Sequence, residues 1–119
     1  MTLFLILDAK WVIGKAGETC NEVCSKTGRI CNMEKQSSVT TNERIQQFML
    51  KAGHACKGFR APTNAAGAPF STNQVDSDCA PIKNGSLSQC DAKEYSEYKA
   101  LCFCEEAKGN FACRHVTAQ

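Results

Sequence analysis

The sequence has few of the large apolar residues from which a folded domain builds its core. Val, Ile, Leu and Phe together number 22 of the 119 residues, and there is one Trp. Almost half of the residues counted as hydrophobic are instead Ala or Cys. So lean a composition is typical of disorder only when the net charge is high, and here it is +2. The nine cysteines therefore indicate one small domain in which disulfide bonds replace part of the core.

Several classes of function lack their sequence signals. No segment reaches the roughly 20 apolar residues of a membrane-spanning helix, and residues 1–10 lack the basic start of a signal peptide. The ten Lys and four Arg are scattered among twelve acids, without the basic stripe of a nucleic-acid surface. No Gly-rich phosphate loop follows a predicted strand. We therefore expect no nucleic-acid partner and no membrane span of its own.

The cysteines also lack the spacing of a metal or redox site. No C-x-x-C occurs, which excludes a zinc ribbon and a thioredoxin-type motif. His54 and His115 lie near cysteines in the sequence, but neither forms a two-residue-spaced ligand pair. The cysteine content favours a disulfide framework, and hence an oxidising compartment: the cell exterior, the secretory-pathway lumen or another organelle lumen. We expect no metal and no cofactor.

The residue pattern predicts a small, disulfide-rich α+β domain with two or three short helices. Apolar spacing and helix-end signals predict helices over 18–27, from a Thr40–Glu43 capping box to Gly53, and from Asp91 onwards. The apolar stripe of the second helix consists of Ile45, Phe48, Met49 and Ala52.

The helices are expected to be stapled to a small antiparallel sheet. Residues 1–16 are predicted to form an N-terminal arm or strand, which packs on the domain or docks on another chain. A single disulfide-rich domain is predicted over 17–116. Its strands are expected at "RICNM", "ALCFC" and "NFACRHV", the last two joined by a turn at 108–110. Residues 57–78 show no periodicity and are predicted to form a long irregular loop.

Two cysteine pairs have spacings that match each other. On a helix, Cys20 and Cys24 share a face with about 6 Å of rise between them. On a strand, Cys102 and Cys104 share a face about 6.6 Å apart. Two parallel disulfide bonds can therefore staple the helix to the strand, Cys20 to Cys102 and Cys24 to Cys104.

The order "GETCNEVCSKTGRIC … SQC … LCFC … KGNFAC" resembles the cysteine-rich C-terminal module of N-acetylglucosaminyltransferase V, the mannosylglycoprotein β-1,6-N-acetylglucosaminyltransferase. The resemblance runs from about Gly17 to Arg114 and is weak between Lys57 and Asp78. It covers the module alone, because the nucleotide-sugar site and catalytic carboxylate of that family belong to a large α/β region that has no counterpart here. The resemblance thus implies a disulfide framework and not the transferase activity.

The resemblance also implies how the cysteines pair. Carried over, the family's bonds are Cys20–Cys102, Cys24–Cys104, Cys31–Cys90 and Cys56–Cys79. The family has a further cysteine three residues after the position of Cys113, where this chain has Val116. Cys113 is therefore expected to be a free thiol, buried as a small hydrophobe, or to bond to another chain.

Few other residues are candidates for chemistry. Glu105 and Glu106 are adjacent, so on a strand they point to opposite faces and are better explained as a solvated pair. Cys113 and His115 could meet on a strand but lack a third group to orient the histidine. His54 is expected to cap a turn. Asn84, in "NGS", is a candidate glycosylation site and a strong turn signal, with or without sugar.

Two functions of different class are consistent with these observations. The first is a non-catalytic interaction or structural module, an accessory subunit or a domain docking on a larger protein assembly. The second is a carbohydrate-binding module. Its candidate stacking platforms are Trp11, Phe70, Tyr95 and Tyr98.

Overall fold

The computed structural model describes residues 8–72, 77–92 and 96–107. Within them the chain forms three helices and six short strands, which together make one mixed sheet. The helices are α1 (Cys20–Ser25), α2 (Met33–Ser37) and α3 (Asn42–Lys51). The strands are β1 (Lys10–Ile13), β2 (Ile30–Cys31), β3 (Gly58–Phe59), β4 (Phe70–Ser71), β5 (Asp78–Ala80) and β6 (Lys99–Glu105). The predicted disulfide-rich α+β class is confirmed.

Strand β6 is the centre of the sheet. The strand order is β1-β6-β4-β5-β3, and β2 also pairs with β6. All pairings are antiparallel except β3 with β5, which run parallel. The expectation of a purely antiparallel sheet was therefore wrong at this one pair, because the chain crosses over from β3 through β4 before β5 returns beside β3.

The two faces of β6 pack against different helices. Ala100, Cys102 and Cys104 lie in one apolar cluster with the buried residues of α1. Leu101 lies in a second cluster with Ile45 and Met49 of α3, and Trp11, Ile13 and Phe48 pack against it. This division follows from the two-residue period of a strand. It places one helix on each side of the β1–β6 pair.

Helix α1 is shorter than the predicted span of 18–27. It begins after Thr19, whose hydroxyl accepts a hydrogen bond from the main-chain N–H of Glu22 while the Glu22 carboxylate accepts one from the N–H of Thr19. This reciprocal pair is a capping box. The buried residues of α1 are Cys20, Val23 and Cys24, the spacing that the sequence predicts.

Helix α3 begins at a different cap from the predicted one. The N-cap is Thr41 and not Thr40: the backbone of Thr41 is extended, and its hydroxyl accepts from the N–H of Arg44. Thr40 is instead held in the preceding turn, where its N–H donates to the carbonyl of Ser38 at 2.9 Å. The end of the helix agrees with the prediction, because Gly53 has a φ of +86°, a conformation that favours glycine.

Helix α2 was not predicted, and it places Gln36 in the interior. Strand β4 pairs with β6 only as far as Ala100, and β2 pairs with β6 only from Cys104. In the gap between them, the N–H of Phe103 donates to the side-chain oxygen of Gln36 at 2.9 Å. The amide nitrogen of Gln36 donates to the hydroxyl of Ser88, and the side chain is 0% exposed. Gln36 therefore completes the hydrogen bonding of β6 where no strand does.

The predicted irregular loop over 57–78 is partly ordered by the sheet. It contains β3 and β4, and Thr63 forms an isolated bridge to Ile82. Two-residue strands have too few positions to show a period, so the sequence carried no signal for them. Phe70 and Ala68 of this segment are buried with Ala80 and Ile82 in a third apolar cluster.

Several predictions lie outside the described residues. They are the arm over 1–7, residues 93–95 of the helix predicted from Asp91, the turn at 108–110, and the strand that carries Cys113 and His115. The described residues Asp91 and Ala92 form no helix and lie at a turn in which the N–H of Ala92 donates to the carbonyl of Gln89. Strand β1 is present at the end of the predicted arm, and its Trp11 and Ile13 pack on the second cluster.

Candidate functional site

The eight cysteines other than Cys113 form four disulfide bonds. Cys20–Cys102 and Cys24–Cys104 join α1 to β6 with Cα–Cα distances of 5.4 and 5.2 Å. Cys31–Cys90 and Cys56–Cys79 join more distant segments at 6.0 and 5.6 Å. These are the pairs that the resemblance implies, and the first two are the pairs that the spacing predicts. Such a bond density is typical of stable extracellular or lumenal domains.

The four predicted stacking platforms differ in their environment. Trp11 stacks on Phe48 at 4.4 Å between ring centres and meets Phe103 edge-on at 4.8 Å. It is therefore part of the core and not a platform. Tyr95 lies outside the described residues. Phe70 and Tyr98, in contrast, are stacked on each other at 4.7 Å beside a cavity.

This cavity is a groove of about 420 Å³ over the third apolar cluster. Its volume falls in the range of small-molecule sites, about 300–1,000 Å³. Phe70, which is 6% exposed, and Ala80 belong to the buried cluster, whereas Tyr98 is half-buried. The lining residues are Arg60, Ala61, Thr63, Ala65, Phe70, Ala80 and Tyr98. We call this cavity the Tyr98 groove.

Arg60 brings a positive charge to the Tyr98 groove. Its Nη1 donates to the hydroxyl of Tyr98 at 3.0 Å, and its guanidinium lies 5.8 Å from the centre of that ring. The main chain of Arg60 is itself fixed, because its N–H donates to the carbonyl of Cys79 at 2.9 Å. Cys79 is in turn bonded to Cys56. A disulfide bond thus supports the strand pair that positions the arginine.

A histidine and a serine meet on the face of β4 opposite to the Tyr98 groove, because Ser71 follows Phe70 in the strand. The Nε2 of His54 lies 3.0 Å from the Oγ of Ser71. Burial, and secondarily the Lys99 ammonium, lower the pKa of His54 below its ordinary value. The side chain of His54 thus contacts Ser71. The C-terminal end of α3 is capped by the main chain instead, because the N–H of His54 donates to the carbonyl of Met49.

This pair does not have the arrangement of a catalytic nucleophile. Ser71 is 0% exposed, so a substrate cannot reach its hydroxyl in this structure. The hydroxyl donates to the carbonyl of Thr72 at 3.3 Å.

Two further candidates, Glu105 and Asn84, lie at the end of β6 and in a turn. Glu105 ends β6 and accepts a hydrogen bond from the side-chain amide of Asn32 at 3.0 Å. Asn84 is exposed in a turn closed by the N–H of Ser86 on the carbonyl of Lys83, and Gly85 there has a φ of +89°. The predicted turn at Asn84 is therefore confirmed, whereas its glycosylation stays a prediction.

Clusters of metal-ligating side chains and membrane-spanning helices are absent from the part of the chain that the structure describes. Over 8–72, 77–92 and 96–107, no group of three or more His, Cys, Asp or Glu could hold a metal ion. No helix in the same ranges is long and apolar enough to cross a membrane.

Sequence reasoning missed three of the residues that matter here: Gln36, Arg60 and Ser71. Each is an isolated polar residue in a segment without periodicity or a motif, and each acquires its partner from a distant part of the chain.

The chain was also compared with known proteins. No protein-family model matches it, and no curated protein is significantly similar to it. The likeness to the transferase module therefore stays a prediction from the cysteine pattern.

Proposed function

We propose that the chain is a non-catalytic, disulfide-stabilised interaction module that docks on a larger protein assembly in an oxidising compartment. The observation that carries this proposal is the way its stability is built. Cys20, Cys24, Cys102 and Cys104 are all buried in the cluster between α1 and β6, so crosslinks occupy the place of a larger apolar core. Such a framework presents a rigid surface whose loops are open to variation.

The charged and nucleophilic groups support a non-catalytic role. Among the described residues, Ser71 has its hydroxyl in contact with the His54 imidazole, and it is buried. Glu105 is engaged by an amide. The pKa of His54, which contacts the buried Ser71, is lowered first by burial and then by Lys99. Glu18 owes its lowered pKa first to a hydrogen bond from Lys26, and neither residue of this ion pair lines the Tyr98 groove.

The test is purification of the protein from its native source, under non-reducing conditions, with mass spectrometry of what elutes. We expect a stoichiometric protein partner that oxidised recombinant chain recaptures and reduced, alkylated chain does not. The reduced, alkylated chain controls for non-specific adhesion, because unfolding exposes more apolar surface. A protein that elutes as a monomer from every gentle preparation would contradict the proposal.

The Tyr98 groove favours a second candidate function, carbohydrate binding. Sugar rings stack their apolar faces on aromatic side chains, and Tyr98 is a half-buried aromatic beside a cavity of suitable volume. The resemblance to a module of a glycan-modifying enzyme supports the same candidate.

A glycan array probed with the oxidised chain tests this second function. We expect a signal that Tyr98→Ala removes and that the matched variant Phe59→Ala keeps, since Phe59 is an exposed aromatic residue that does not line the groove. A signal unaffected by Tyr98→Ala would place the sugar elsewhere. The absence of a signal for any glycan would contradict carbohydrate binding and leave protein docking as the remaining proposal.

A further inference from the structure

The described lining of the Tyr98 groove carries charge of one sign. Among the described residues that line it, Arg60 is charged and none is acidic. No carboxylate of the described residues forms an ion pair with Arg60. The ion pair among these residues joins Lys26 and Glu18. The Tyr98 hydroxyl takes one of the five N–H donors of the guanidinium and holds it in place. The other donors are left to a ligand.

Thr63 adds a second donor to the groove. Its Oγ1 accepts a hydrogen bond from the main-chain N–H of Ala65 at 3.1 Å. A hydroxyl that accepts in this way keeps its own proton to donate, and the main chain holds its rotamer. Arg60 and Thr63 therefore both offer donors to a hydrogen-bond acceptor of the ligand. A carboxylate supplies two acceptor oxygens, in the geometry that an arginine binds best.

The main chain argues against an extended peptide as the ligand. Peptides that bind along a strand edge need free main-chain donors. Here the N–H groups of Arg60, Thr63 and Ala65 donate to Cys79, Pro81 and the Thr63 hydroxyl, so three of the lining residues have none to offer. Recognition must come from side chains, including the ring of Tyr98 and the alanines that line the groove, Ala61, Ala65 and Ala80. These features suit a compact ring.

We propose that the Tyr98 groove binds a sugar that carries a carboxylate, a hexuronic acid. The carboxylate meets the Arg60 guanidinium and the Thr63 hydroxyl, and the apolar face of the sugar ring lies along Tyr98. This rests on the carbohydrate-binding function proposed above and names the class of sugar.

The experiment is a titration of the oxidised, full-length chain with three small saccharides, followed by calorimetry and by NMR chemical shifts. The probes are methyl glucuronoside, its C6 amide and methyl glucoside, which differ only at the group expected to meet Arg60. We expect the uronate to bind at least about tenfold more tightly than the other two, the effect of one hydrogen-bonded charge. This comparison needs no variant and therefore does not depend on one folding.

Two variants locate the binding. Arg60→Gln is expected to remove the preference for the uronate. Arg44→Gln is the matched control, because Arg44 lies on α3, donates to the carbonyl of Ser38 and does not line the groove. It is expected to bind like the parent chain.

The outcomes separate this inference from the function on which it rests. Equal affinity for the uronate and the glucoside would overturn the inference and leave carbohydrate binding standing. No binding of any saccharide would overturn both. A peptide carboxylate, N-acetyl-alanyl-alanine, that binds as tightly as the uronate would show a general carboxylate site and so overturn the assignment to a sugar.

Discussion

At the scale of single residues, the fold depends on a polar side chain where a core residue is expected. Gln36 is fully buried and provides the acceptor for Phe103 N–H in the gap between β2 and β4. Gln36→Met keeps the volume and removes both hydrogen bonds. Because a buried donor left unpaired costs about 1–3 kcal/mol, we expect the free energy of unfolding to fall by that amount.

The matched control for this variant is Gln46→Met, on the exposed face of α3. Surface substitutions of this kind usually change the free energy of unfolding by less than about 0.5 kcal/mol. Denaturant unfolding with the disulfide bonds intact measures both variants. Equal losses for the two would show that the Gln36 bonds contribute nothing beyond the loss of a glutamine.

His54 is a second residue whose role shows in stability. Its pKa is lowered by burial and by Lys99, so the folded chain takes up a proton less readily than the unfolded chain does. Stability is then full above the unfolded pKa, about 6.5, and decreases as the pH falls through that value toward the folded pKa. We expect His54→Gln, which can still bond to Ser71, to reduce the loss of stability between pH 7.5 and 5.5.

Thermal unfolding across this pH range measures the effect. His115→Gln is the control, since His115 is the other histidine of the chain. The explanation fails if the parent chain and His54→Gln lose the same stability over the range.

At the scale of elements, the two bonds between α1 and β6 act together. With Cys31–Cys90 in place, the first bond of the staple closes a loop of about 20 residues and contributes about 3 kcal/mol by chain entropy. The second then closes only a few more residues and contributes about 2 kcal/mol. Either bond can serve as the first. Each single removal should therefore cost about 2 kcal/mol, and removal of both about 5 kcal/mol.

A double-mutant cycle measures this coupling. The variants are Cys20→Ala/Cys102→Ala, Cys24→Ala/Cys104→Ala and all four together, compared by denaturant unfolding. Additive losses would mean that the bonds stabilise α1 and β6 independently, through local packing, and would contradict the chain-entropy account.

At the scale of the whole molecule, the crosslinks decide whether the chain folds. Its three apolar clusters are small, and cysteines belong to two of them. Reduction should therefore abolish the cooperative thermal transition and the near-ultraviolet circular dichroism, because the remaining apolar burial does not offset the chain entropy. Mock-treated, alkylated protein is the control. A reduced chain that still melts cooperatively would show that the clusters suffice without the bonds.

The sequence by itself determined the features that repeat at short range. The three-residue gap between Cys20 and Cys24 and the one-residue gap between Cys102 and Cys104 set which sulfurs share a face, because helix and strand periods are local. The stripe of Ile45 and Met49 and the stop at Gly53 were predictable for the same reason.

Tertiary structure alone decided the features that join distant segments. Nothing near Gln36 in the sequence shows that β4 and β2 leave a gap beside Phe103. Likewise Arg60 and Tyr98 are 38 residues apart, and the strands that lead from Arg60 to β6, namely β3, β4 and β5, are too short to show a period. Local patterns specify dihedral angles and faces, whereas neighbours across the sheet are set by how the chain crosses and where the disulfide bonds hold it.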